Sequence, residues 1–288
     1  MKISEAFDLY KNNYMFIKGQ SRRVLENQDY VKQRLIRVLG DKRIEKLTMD
    51  DVYKWTEAIS KMKMPDGSYK ARAVNTMRND LIRLKMVLKY MKLLGYNCLE
   101  PELIPIPKRE DVKRPFLSEY EVSKMIENSY SLRNKFVVSL LYSSGIRLSE
   151  MISLNRDSIK DRSFTVVGKG KKARLCFIDE RTENIMNEYL ASRNDDCEAL
   201  IISYKNKARM TPTNVQLLIK NTAERAGITK KVTPHILRHS FATNFIRNNG
   251  NIKYLSVLLG HVSINTTAIY THVVDNDLAK QYALYHSV

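Results

Sequence analysis

Pro234-His-Ile-Leu-Arg-His-Ser-Phe-Ala-Thr-Asn244 and, further on, Leu258-Leu-Gly-His-Val-Ser-Ile-Asn-Thr-Thr-Ala-Ile-Tyr270 are the stretches around which this chain is organised. His235 and Arg238 are three apart, so on a helix they share a face. His261 follows a Leu-Leu-Gly helix ending, and Tyr270 lies nine residues beyond it. Two imidazoles, a guanidinium and a phenol with no carboxylate beside them suit an anion. Arg grips phosphate through a planar fork, His donates a hydrogen bond or moves a proton, and Tyr can act as a nucleophile. Such a set of groups fits a phosphodiester. Plainer readings exist for each member. His235 and His239 are four apart like a zinc pair, but the Glu of the His-Glu-x-x-His pattern is missing and no carboxylate or thiol ligand stands near. A single buried His bonded to backbone, or a Tyr filling a helix interface, is common in any fold. The order and spacing of the whole set carry the signal.

Working outward, composition limits the partners. The 288 residues suit two domains with a sizeable core, and 49 Lys+Arg against 31 Asp+Glu leave a charge of +18. That balance favours a polyanion, with DNA, RNA and the ribosome equally compatible. Residues 1–95 hold 21 basic and 11 acidic side chains, a net +10, which leaves +8 for the remainder. The charge is therefore spread over both parts rather than gathered in a tail, and 43% hydrophobic residues argue against disorder. Cys98, Cys176 and Cys197 have no metal spacing and read as reduced cytosolic thiols. Residues 1–20 lack an apolar signal core, and no run of about 18 apolar residues exists, so the expectation is a soluble, cytoplasmic protein without membrane association.

The first 95 residues read as four helices. Ile3, Phe7, Tyr10, Tyr14 and Ile17 recur at helical spacing, as do Val24, Val31, Leu35, Val38 and Leu39 before Gly40. Thr48 is an N-cap with Asp50 and Asp51 behind it. Met64 to Ser68 is a turn. The fourth helix carries Val74, Met77, Leu81, Leu84, Leu88 and Met91 as a packing seam, and Arg72, Arg78 and Arg83 among the basic residues on its other faces. Those faces are either solvated or in contact with DNA. Residues 96–115, with four prolines and interspersed Lys and Arg, read as an extended basic linker.

The second part, 116–288, opens with a capping box, Ser118 and Glu121, and an apolar helix around Phe136 to Tyr142. Gly145 can end that helix and place Arg147 at the start of the next, where backbone N–H groups favour an anion; the plainer alternative is a surface Arg capped by Glu150. Phe164 to Ile178 reads as a β-hairpin with the tip Gly168-Lys-Gly-Lys-Lys172, whose lysines could meet a phosphate. The tip lacks P-loop spacing, so ATP is not indicated. Glu180–Ser192 and Thr213–Ala226 read as helices, Leu200-Ile-Ile-Ser203 as a short strand.

Arg147 in Gly-Ile-Arg-Leu-Ser-Glu, Lys169 in Gly-Lys-Gly, His235-x-x-Arg238, Leu-Gly-His261 and Tyr270 stand in an order that resembles the tyrosine recombinase (phage integrase) family over roughly 115–275. The length is similar to that of the Xer recombinases, including the archaeal XerA type. The resemblance implies a mainly α fold with a small β-hairpin. It would comprise a helical, SAM-like core-binding domain over 1–95 and a catalytic domain over 116–288, with an exchange helix at 277–285. It implies Tyr270 as the nucleophile forming a 3′-phosphotyrosyl bond, and Arg147 and Arg238 on the non-bridging oxygens. Lys169 would be the acid for the leaving 5′-oxygen, with Lys171 and Lys172 as rivals and, like Arg72, Arg78 and Arg83, as DNA contacts. His235 would be the base and His261 a donor to the phosphate. No metal and no cofactor is implied. The implied partners are double-stranded DNA at a specific site and, on two duplexes, a tetramer of a chain that is monomeric or dimeric when free. The implied place is the cytoplasmic nucleoid, and the implied role is chromosome dimer resolution. A mobile-element integrase, a non-catalytic DNA-binding protein and a type IB topoisomerase are the alternatives.

Overall fold

Short polar side chains start many of the described helices, and left-handed glycines end several of them. In a computed structural model, residues 1–15, 17–20, 22–63, 69–71, 73–110, 115–168 and 173–260 are described. They divide into two compact units, Met1–Val112 and Lys113–Val288.

The first unit is helical. α1 (Ile3–Leu9) runs on into a π-helical turn, Tyr10–Met15, where the spacing predicts a continuous α-helix. The turn sets the Tyr10 and Tyr14 rings 5.3 Å apart and brings them to 5.6 and 5.4 Å from the Tyr90 ring. α2 (Arg22–Leu39) stops at Gly40, whose φ of +72° is cheap only for glycine. α3 (Met49–Ser60) starts at Thr48, which accepts from the Asp51 amide while Asp51 accepts from Thr48 N–H, the expected cap. β1 (Lys61–Lys63) and β2 (Tyr69–Ala71) pair antiparallel. α4 (Val74–Leu93) buries Leu81, Leu84, Leu88 and Met91 against Leu35, Val52 and Trp55. It also buries Asp80, which accepts from Arg34 at 2.7 Å, a polar member of the seam that the apolar spacing does not reveal. The segment from residue 96 is not extended throughout. Cys98 and Ile104 are buried in this unit's core, with Pro101–Leu103 forming a 3-10 turn between them, because apolar residues among the prolines have a core to join.

The second unit surrounds α6 (Leu132–Ser144), whose residues 136–141 are all buried. Against it pack α5 (Glu119–Glu127), capped by Ser118 and Glu121 as the sequence predicts, α8 (Glu180–Ala191), α9 (Pro212–Arg225) and α10 (Pro234–Arg247). α7 (Leu148–Ser153) follows the Gly145 turn, and α11 (Ile252–Leu259) ends at Gly260 with φ +60°. β3 (Ser163–Val167) and β4 (Ala173–Phe177) form the expected antiparallel hairpin with Thr165 opposite Leu175. Phe164, Val166, Arg174 and Cys176 are its buried positions. Leu200–Ser203 does not form the expected strand. Ala199 and Ile202 make single bridges to Asn155 and Arg209, and the apolar run reflects burial of Ala199–Ile202 rather than a ladder. The fold is mainly α with small antiparallel sheets. Among the described residues no helix is long and apolar enough to cross a membrane.

Candidate active site

Thr233 and Pro234 fix where α10 begins. The Thr233 hydroxyl accepts from the Ile236 amide, and Pro234 supplies a preset φ at a position that needs no N–H donor. His235 therefore lies in the first turn, exposed, and Arg238 one turn deeper, only 6% exposed. Arg238 Nη1 donates to Gly145 O and Nη2 to Leu259 O, each at 2.6 Å. One guanidinium thus ties the end of α6 to the end of α11.

Gly145 is glycine for two reasons. Its φ is +60°, and a Cβ there would lie 2.4 Å from Phe241 Cδ1, a side chain of α10. The turn it permits presents Arg147 as the residue preceding α7. Here the structure shows the capping by Glu150 that the sequence offered as the plainer reading. Glu150 does cap the helix, accepting from the Arg147 amide at 2.7 Å, and its other oxygen accepts from Arg147 Nη1 at 2.8 Å. Arg147 Nη2 reaches Gly260 O at 3.5 Å, and the side chain stays one-third exposed.

A third arginine completes the cluster. Arg174, on an inward position of β4, donates Nη1 and Nη2 to the two Glu150 oxygens at 2.8 and 2.6 Å and Nε to Leu258 O at 2.9 Å. Leu258, Leu259 and Gly260, three successive carbonyls ending α11, accept from Arg174, Arg238 and Arg147 respectively. Helix ends leave such carbonyls without intrahelical partners, and cations there also meet the negative end of the dipole. Burial alone would raise the Glu150 pKa, but the Arg174 fork and the Arg147 amide and guanidinium outweigh it and hold the carboxyl at about 2. Three guanidiniums on the carbonyls that end α11, with one carboxylate between two of them, leave an excess of positive charge beside a partly exposed Arg147, the electrostatic condition for holding an anion.

Of the residues picked out from sequence, Arg147 and Arg238 meet at the end of α11, next in the chain to residue 261, and His235 stands on the same helix as Arg238. Arg78 and Arg83 are half-buried on α4 of the first unit. Arg72, Lys169, Lys171, Lys172, His261, Tyr270 and the segment 277–285 lie outside the described residues. Sequence reasoning missed Arg174. Its signal was an arginine at a position that hairpin alternation assigns to the buried face. Among the described residues, no three His, Cys, Asp or Glu side chains gather to hold a metal.

This helical unit, with its hairpin and arginine cluster, is that of a site-specific recombinase of the tyrosine class. The chain belongs to the phage integrase family, whose model matches residues 115–277. A tyrosine recombinase of Thermosipho africanus is 30% identical over 285 residues, 96% of this chain and 97% of that one. Tyrosine recombinase XerA of Pyrococcus furiosus is 35% identical over 223 residues, 75% of each chain. Among solved structures, the Tn1549 transposon integrase in complex with transposon right-end DNA superposes with a TM-score of 0.79 over all of both chains at 15% identity, a likeness of fold.

Proposed function

We propose that the chain cleaves and rejoins double-stranded DNA at a specific site through a covalent bond to Tyr270. The observation that carries this reading is the meeting of Arg147 and Arg238 on the carbonyls that end α11, immediately before His261. In the proposed reaction the Tyr270 oxygen attacks the scissile phosphorus while the bond to the 5′-oxygen breaks. His235 takes the phenol proton, because a phenol with pKa of about 10 is a poor nucleophile at neutral pH. Lys169 gives a proton to the departing 5′-oxygen. Arg147, Arg238 and His261 bind the non-bridging oxygens, whose charge grows in the transition state. Fixed cations in these places do what metal ions do in other phosphoryl transfers, so the reaction runs without metal. The phosphotyrosyl ester keeps the energy of the broken bond, so rejoining needs no ATP.

In this reading residues 1–95 are a core-binding module in which Arg72, Arg78 and Arg83 meet DNA. The catalytic domain begins near 116, and residues 277–285 join neighbouring protomers into a tetramer on two duplexes. We assign the chain to Xer-type resolution of chromosome dimers in the cytoplasm, supported by the 35% identity to an archaeal XerA. The test is strand exchange between two duplexes carrying a single genomic site near the replication terminus. Exchange there supports the Xer role, whereas exchange confined to the boundary of a mobile element replaces it with that of an integrase.

A further inference from the structure

Arg174 occupies a place where an apolar side chain would be expected. It shares the buried face of the hairpin with Phe164, Val166 and Cys176, and its side chain is 7% exposed. A buried ion pair is weak support for stability, since well-packed apolar residues often replace one at no cost. What the guanidinium adds is geometry. Its planar fork matches the Glu150 carboxylate, and its third direction is spent on Leu258 O. Glu150 Oε1 accepts from Arg174 Nη1 and Arg147 Nη1 together, each at 2.8 Å. Gly260 leaves room for this arrangement: a Cβ there would lie 2.8 Å from Arg174 Cδ and 3.1 Å from Nη1.

We propose that Arg174 is a positioning residue for strand cleavage, one that never touches the phosphate but orients Arg147 through Glu150 and fixes the end of α11 through Leu258. The inference rests on the recombinase reaction proposed above, with Arg147 on the scissile phosphate. A lysine at 174 gathers its three donors on a single nitrogen and lacks the planar fork that faces both carboxylate oxygens while Nε turns to the Leu258 carbonyl. The three elements joined by the guanidinium (the α7 turn, β4 and α11) then lose their common pin.

The test is the first-order rate of covalent adduct formation at saturating nicked duplex carrying the recombination site. It is measured beside the Kd for an intact duplex of the same sequence. For Arg174→Gln and Arg174→Lys the duplex Kd stays within about threefold of wild type while the cleavage rate falls about 100-fold and about 10-fold, the scale of rate lost when a reacting group is misplaced by about an ångström. The double variant Arg147→Ala/Arg174→Gln loses much less than the product of the two single losses, because the Glu150 route passes through Arg147. Cleavage at wild-type rate in either single variant, or multiplied losses in the double one, overturns the proposal. Loss of folding in Arg174→Gln leaves Arg174→Lys to decide. Loss of folding in both makes Arg174 part of the scaffold alone and also overturns it. A wild type that forms no adduct rejects the recombinase chemistry and this inference with it, whereas a wild type that cleaves isolates the inference.

Discussion

Replacing Glu150 by Gln tests the arginine cluster as a unit. Glu150 accepts four hydrogen bonds, two from Arg147 and two from Arg174, while its side chain is only 5% exposed. Gln keeps the shape, loses the charge and turns an NH2 group toward a guanidinium. The carboxyl pKa falls from 4.5 in the unfolded chain to about 2 in the folded one, a shift that corresponds to about 3 kcal/mol of stability at pH 7. Removing one partner of a buried pair costs a comparable 3 to 5 kcal/mol or so. The sign follows from the direction of the shift. A depressed carboxyl stabilises the fold fully above about pH 4.5 and progressively less as pH falls toward 2. Urea unfolding followed by circular dichroism should therefore show Glu150→Gln about 3 kcal/mol less stable than wild type at pH 7, with the gap reduced by more than half at pH 3. A gap below about 1 kcal/mol at pH 7, or one that does not change with pH, would refute the idea that Glu150 is held ionised by its two arginines.

Other perturbations separate the contributions. Gly260→Ala should lose about 1 to 2 kcal/mol from its left-handed φ and further stability from the approach to Arg174, whereas Gly40→Ala, with φ +72° and no atom within 4 Å, should lose only the first; paired urea melts measure both. Leu84→Ala, in the core around Trp55, should cost about 2 to 5 kcal/mol, read from the fluorescence of that one tryptophan. Arg147→Ala should bind the duplex with nearly wild-type affinity while forming adduct about 1000-fold more slowly, and unchanged cleavage would remove Arg147 from the proposed reaction.

Much of this architecture is local and so was legible in the chain. Thr48 and Ser118 announce helices through residues three positions away, and Gly40, Gly145 and Gly260 end helices because their backbones turn left-handed. The hairpin's alternation is equally local. The features that escaped notice depend on partners far apart in sequence. Glu150 reads as the cap of its own helix until β4 brings Arg174 to its other side, 24 residues on. The three carbonyls ending α11 lie between 21 and 113 residues from the arginines that bind them. Tyr10 to Met15 departs from α geometry where Tyr90, from α4, meets the Tyr10 and Tyr14 rings. Cys98 and Ile104 stand among prolines that suggest a linker, yet an apolar core is within their reach. In the candidate site, sequence placed His235 and Arg238 on one helix but could not say that Arg238 would be buried with both nitrogens on carbonyls.

The most direct test is covalent trapping on nicked duplexes carrying the organism's candidate recombination site, comparing wild type with Tyr270→Phe. An SDS-stable protein–DNA band in the wild type and none in the variant, with equal duplex binding by both, is the expected result. A band of undiminished strength from Tyr270→Phe would contradict the assignment and move the nucleophile to another residue, with Tyr282 and Tyr285 examined next.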